Sequence, residues 1–214
     1  MKISLVAYCA LATLALASMP ASADSLVDGS ADAGKSKSFA CSACHGSAGI
    51  SVSPMWPNLA GQNAPYIVAQ LKAFQPGADG TALRRDPLMT SMALPLSDQD
   101  IRDLAVYFES LPAAVNAVAD EKTLPRAETL YRGGNLKNDV PACLACHGPT
   151  GLGNPAATYP MLRGQHATYT AKQLRDYASG ARASDGKTRV MRDIAARLSD
   201  DDIIAISSYV QGLK

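Results

Sequence analysis

Apolar residues recur at helical spacing along the chain. Ile67, Leu71 and Phe74 share one face of a segment that begins after Asn63, and Ile101, Leu104, Ala105, Phe108 and Leu111 share one face after Ser97. Similar patterns return after His166 and after Ser199. Ser97 and Ser199 are good N-caps, and the acidic residues that follow them suit the positive end of a helix dipole. Shorter helical segments are expected over about 31–40 and 126–133. The Gly- and Pro-rich stretches between these pieces, such as Gly46 to Gly61, read as loops. Few runs alternate as strands do, so the pattern predicts an all-α chain.

The pattern is written twice. Cys41-Ser42-Ala43-Cys44-His45-Gly46 recurs as Cys143-Leu144-Ala145-Cys146-His147-Gly148, an offset of 102. Pro57-Asn58-Leu59-Ala60-Gly61-Gln62 recurs as Pro160-Met161-Leu162-Arg163-Gly164-Gln165, at 103. Tyr66, Gln70, Leu71 and Phe74 match Tyr169, Gln173, Leu174 and Tyr177 at that same offset. The offset then returns to 102, where Met89 matches Met191 and Ser97-Asp98 matches Ser199-Asp200. Two copies of this size read as tandem domains rather than a solenoid. The expected boundaries are 24–111 for the first domain, 112–123 for an alanine-rich linker that opens on Pro112, and 124–214 for the second domain.

The beginning of the chain reads as an export signal. Lys2 supplies the positive end, Ile3 to Ala17 is mostly apolar, and Ala21-Ser22-Ala23 is a small-x-small cleavage site, so residues 1–23 are expected to be removed. The apolar run is short for a membrane span. Of five cysteines in 214 residues, Cys9 would leave with the leader, so the odd count becomes four. The chain has 20 Lys+Arg against 19 Asp+Glu, which argues against nucleic acid as a partner. That balance hides an asymmetry. Residues 24–113 hold nine acidic and six basic side chains, net −3, whereas residues 114–214 hold ten and thirteen, net +3. Opposite halves of this kind could help two units dock, or orient the molecule at a charged partner or membrane surface.

The chemistry lies in Cys41/Cys44-His45 and Cys143/Cys146-His147. Cys-x-x-Cys-His is a c-type haem attachment pattern: two thiols bond one haem covalently, and the adjacent histidine becomes an axial ligand of the iron. Two copies use all four remaining cysteines and imply two haem c groups. A zinc site would need the ligands of both motifs to converge on one ion. A redox dithiol would have no need of the histidine in both copies.

With these features each unit resembles a class I cytochrome c: a helix, Cys-x-x-Cys-His, a Pro-x-Leu-x-Gly loop, a downstream methionine and a C-terminal helix. The tandem arrangement resembles the diheme cytochrome c4 family over essentially all of the mature chain. The resemblance implies two domains packed face to face and electron transfer in place of catalysis. It also implies a monomeric periplasmic carrier that donates to a terminal oxidase, is fed by a quinol-oxidising complex and associates peripherally with the inner membrane. Two other roles are a diheme subunit of a larger dehydrogenase, such as a flavocytochrome sulfide dehydrogenase, and a diheme peroxidase or thiosulfate-oxidising enzyme.

The sixth iron ligand is chosen by the repeat. Met89 and Met191 each stand eight residues before a capping serine, which is where the family places its axial methionine. Met92 has no counterpart, since position 194 is Ile, yet it rivals Met89 for the first haem. Pro57 and Pro160 resemble the class I proline whose carbonyl accepts a hydrogen bond from the axial histidine. His166, the spare histidine, matches Asn63; capping or solvent exposure is expected of it, with ligation or a peroxidatic role as alternatives.

Overall fold

The structure is a computed structural model, and it describes residues 25–214; the expected leader with Cys9 lies outside the described residues. Two helical units follow one another. The first contains α1 (Ala31–Lys37), α2 (Phe39–His45), α3 (Ala64–Phe74), α4 (Pro87–Ala93) and α5 (Asp98–Ser110). The second contains α6 (Leu124–Gly133), α7 (Leu144–His147), α8 (Ala167–Ser179), α9 (Val190–Ala195) and α10 (Asp200–Gly212). Among the described residues there are no strands, only isolated bridges such as Arg84 to Arg182.

Each unit is organised by its C-terminal helix. Ser97 and Ser199 both close a full capping box, with Asp100 and Asp202 bonding back to the cap N–H. Replacing either serine by alanine would cost about 1 kcal/mol. In the first unit α5 packs on α1 and α3 through Leu104, Ala105, Tyr107 and Phe108. The α1–α5 crossing is close: a Cβ on Gly34 would lie 2.1 Å from the Asp103 carbonyl oxygen. In the second unit α10 packs on α6 and α8, with Tyr131, Ile203, Ile206 and Val210 at the centre.

One expected helix is in fact two. The segment predicted over about 31–40 breaks at Ser38, whose N–H is shared between the carbonyls of Gly34 and Lys35 and whose hydroxyl donates to Lys35 O at 2.8 Å. The new helix α2 then runs through the cysteine motif to His45. In the second unit the helix ends at Gly133, as expected, and a loop leads to a single turn at Leu144–His147.

Residues 112–120 form no helix and lie along the second unit. Asn116 Nδ2 donates to Gly164 O, Gln211 Nε2 to Ala117 O, and Asp120 N–H to Ser208 Oγ. The backbone near Ala113 and Ala114 passes so close to Gly61 and Gly164 that a Cβ on Gly164 would lie 2.1 Å from Ala114 O.

Candidate functional site

The two Cys-x-x-Cys-His turns have the same local build. Each histidine ends a helical turn and is followed by a glycine with positive φ, Gly46 at 79° and Gly148 at 77°. A side chain at 46 would be strained there, and its Cβ would lie 2.0 Å from Ile50 O. The chain therefore turns back at once and brings the proline loop over the imidazole. His45 Nδ1 lies 2.8 Å from Pro57 O, and His147 Nδ1 lies 3.0 Å from Pro160 O. A carbonyl only accepts, so the proton is on Nδ1 in both rings and the Nε2 lone pair is free. Both rings are buried, and burial is the main cause that lowers their proton affinity; beside His45 the charge of Arg84 adds to this. The imidazoles are thus neutral and oriented, as a metal-ligating histidine must be.

The four thiols are half-buried and free of disulfides. Burial raises the Cys41 thiol and pushes that of Cys143 up to about 11. Raised thiols at Cys41 and Cys143 do not suit a low-pKa redox dithiol. Among the described residues no three His, Cys, Asp or Glu side chains converge as a metal cluster, so the two motifs do not share one ion. The donor set of each unit, one oriented imidazole beside two thiols, fits an iron that arrives inside its own macrocycle.

Met89 lies half-buried on α4, which Asp86 caps by accepting the Met89 N–H at 3.0 Å. Met92, one turn further on, is 36% exposed. Met191 lies half-buried on α9 and packs against the core of its unit.

The two units meet through a polar seam with approximate twofold symmetry. Gln165 of the second unit accepts the Asn58 N–H at 2.9 Å and donates to Asn58 O at 3.0 Å. Gln62 of the first unit does the same to Met161, at 2.8 and 3.0 Å. Asn63 Nδ2 donates to Tyr159 O, and the counterpart His166 places Nε2 3.0 Å from Ser51 O. Both residues stand at N-cap positions without a side-chain capping bond. The expectation of a capping or solvent-exposed His166 is therefore corrected: its half-buried ring spans the seam, because the partner surface offers a carbonyl in reach.

At the centre of the seam two buried guanidinium groups face opposite units. Arg84 donates to Gln70 of its own unit and to Tyr169 and Gln173 of the other. Arg182 donates to its own Gln173 and to Tyr66 and Gln70 of the other. Each also stacks on an aromatic ring, Arg84 on Phe74 and Arg182 on Tyr177. Among the described residues neither arginine pairs with a carboxylate, and every ion pair lies within one unit. Among the described residues no close ion pair joins the halves. Two buried cations without a protein carboxylate fit a cofactor that brings carboxylates of its own, as haem does.

Sequence reasoning found the cysteines, histidines and prolines but missed the seam. Gln62, Tyr66 and Gln70 repeat as Gln165, Tyr169 and Gln173, and polar residues kept in both copies were the signal available. Arg84 and Arg182 are 98 residues apart, outside the 102–103 register, so the alignment did not pair them.

Two helical units, each with an oriented histidine beside two vicinal thiols, define a diheme c-type cytochrome. The family model described as cytochrome c matches residues 31–112 and again 132–214. Cytochrome c4 of Azotobacter vinelandii is 50% identical over 189 residues, covering 86% of this chain and 90% of that protein. The crystal structure of reduced recombinant cytochrome c4 from Pseudomonas stutzeri superposes with a TM-score of 0.82 at 48% identity, covering 87% of this chain and all of that one. A thiosulfate dehydrogenase electron acceptor of Stutzerimonas stutzeri is 34% identical, over 80% of this chain and 77% of that protein. The chain belongs to the cytochrome c family and, within it, to the diheme cytochromes c4. It is an electron-transfer protein that carries two covalently attached haem c groups.

Proposed function

We propose that the chain is exported, cleaved after Ala23, and works in the periplasm as a two-electron store that feeds a terminal oxidase. The reading divides it into domains 24–111 and 124–214 joined by 112–123. Cys41 and Cys44 hold the first haem, Cys143 and Cys146 the second. His45 and Met89 are the axial ligands of the first iron, His147 and Met191 those of the second. When bound, each haem supplies one reversible electron at an iron whose potential a thioether ligand raises. The residues of the chain do the rest. Pro57 and Pro160 fix the rings of His45 and His147, the seam fixes one unit against the other, and the buried helices keep water away from the sites.

The observation that carries this reading is the duplication of a buried, oriented histidine beside two thiols free of disulfides. No helix among the described residues is long and apolar enough to cross a membrane, consistent with a carrier that meets its partners at a membrane surface. A second reading, favoured by the relative named as an electron acceptor of thiosulfate dehydrogenase, places the chain downstream of a sulfur-oxidising enzyme. Oxygen uptake by a haem–copper oxidase, with this protein as its sole electron source, separates the two. Fast uptake that falls with added salt supports the first reading. Negligible uptake, together with rapid reduction by a thiosulfate dehydrogenase, overturns it in favour of the second.

A further inference from the structure

The peptide group between Pro57 and Asn58 is bonded on both sides. Its carbonyl lies 2.8 Å from His45 Nδ1, and its N–H donates to Oε1 of Gln165, in the other unit, at 2.9 Å. The peptide between Pro160 and Met161 repeats the arrangement, with His147 Nδ1 at 3.0 Å and Gln62 Oε1 at 2.8 Å. The glutamine amides cannot be turned round. Each Oε1 also accepts the N–H of the next residue in its own chain, Asn63 at 3.0 Å or His166 at 3.1 Å, and an amide nitrogen could not serve two N–H donors.

A peptide group is a resonance unit. An acceptor on its N–H draws charge toward its oxygen, so hydrogen bonds on the two sides strengthen each other. A more negative Pro57 oxygen pulls harder on the His45 Nδ1 proton and makes Nε2 a stronger donor to iron. We propose that Gln165 sets the ligand strength of His45 and Gln62 that of His147, so that each unit tunes the iron of the other. Both glutamines are positioning residues, acting through a peptide and a ring. The inference rests on the reading that His45 and His147 ligate the irons. It makes the docked arrangement part of the redox property: a unit without its neighbour loses the bond that steadies its own histidine.

The test uses the full-length diheme protein carrying Gln165→Met or Gln62→Met. Potentials are read by optical redox titration, and the two haems are told apart by hyperfine-shifted proton resonances. Gln165→Met should make the haem at His45 easier to reduce by about threefold, about 28 mV at 59 mV per decade, and leave the haem at His147 unmoved. Gln62→Met should give the mirror image. Gln165→Glu, which keeps an acceptor for the Asn58 N–H, should not raise the potential at His45. Asn63→Ala and His166→Ala remove seam bonds that miss both peptides, and should shift neither haem selectively. A shift in the variant's own unit, equal shifts at both haems, or none while both irons stay low-spin with His/Met ligation would overturn the relay. An iron without histidine ligation in the unaltered protein, visible by electron paramagnetic resonance, would instead remove the ligand reading beneath it.

Discussion

The two units share a five-residue turn and a histidine-to-proline bond, and differ in much of what surrounds them. In the first, α1 and α2 carry the chain into the cysteines with only the Ser38 break. In the second, α6 stops at Gly133, and a loop containing Asp139 at φ 51° and Pro141 delivers the turn. The methionine helix of the first unit starts at a capping Asp86 followed by Pro87; that of the second starts at Arg189 with φ 55°. The first unit is acidic and exposes Phe39 (87%) and Val52 (100%), where the second has Pro141 and Asn154 at the repeat offset. Both units keep the donor set and the polar side of the seam. The outer surface changed. The two haem sites are thus one chemistry set in two exteriors, and partners can tell the units apart by charge and by apolar exposure.

Removal of one cofactor separates the two units most strongly. Cys143→Ser with Cys146→Ser should leave one haem per chain and unfold the second unit, because the free energy of binding a group that the unfolded chain does not hold is folding free energy. Mass spectrometry should find one haem, and the helical circular dichroism signal should fall by about half. The first unit should keep its own haem, but without the Gln165 clamp.

A smaller break falls on the seam. Arg182→Met leaves Tyr66 without its arginine donor and Gln70 and Gln173 with Arg84 alone, and hydrogen bonds to a charged group contribute about 1.5–3 kcal/mol each. Docking should weaken by about that much, so that denaturant unfolding separates into two steps while each isolated step keeps its midpoint. A single unchanged transition would mean that the units are held by something else.

The units differ more weakly in their response to acid. Asp103 is held at about 2, first by Lys37 and then by Ser30 N–H and Gln99. A carboxylate lowered in the folded state stabilises it above the ordinary value of 3.8, and that stability is lost as pH falls toward about 2. Lys37→Met should therefore move acid unfolding of the first unit to higher pH. Trp56, the single tryptophan, reports that unit by fluorescence. The second unit, with its Arg126–Asp202 pair, should keep its acid midpoint.

Much of this was legible in the sequence because it is local or repeated. Periodicity placed the long helices, Ser97 and Ser199 marked their starts, and the doubled cysteine motif named the cofactor. What stayed illegible depends on the other unit. His166 read as a capping or exposed residue because nothing in its own segment shows the Ser51 carbonyl across the seam. Asn58 and Gln165 lie 107 residues apart and pair only after docking. The Ser38 break depends on a hydroxyl choosing a nearby carbonyl over solvent, which hydrophobic spacing does not register.

We propose that each unit holds iron between a proline-oriented histidine and a repeat-selected methionine. The oxidised optical spectrum tests it most directly, through the weak methionine-to-iron charge-transfer band. Met89→Ala and Met191→Ala should each abolish about half of that band, and the double variant all of it, while Met92→Ala leaves it intact. Loss of half the band in Met92→Ala with none lost in Met89→Ala would contradict the first site, and an undiminished band in Met191→Ala would contradict the second.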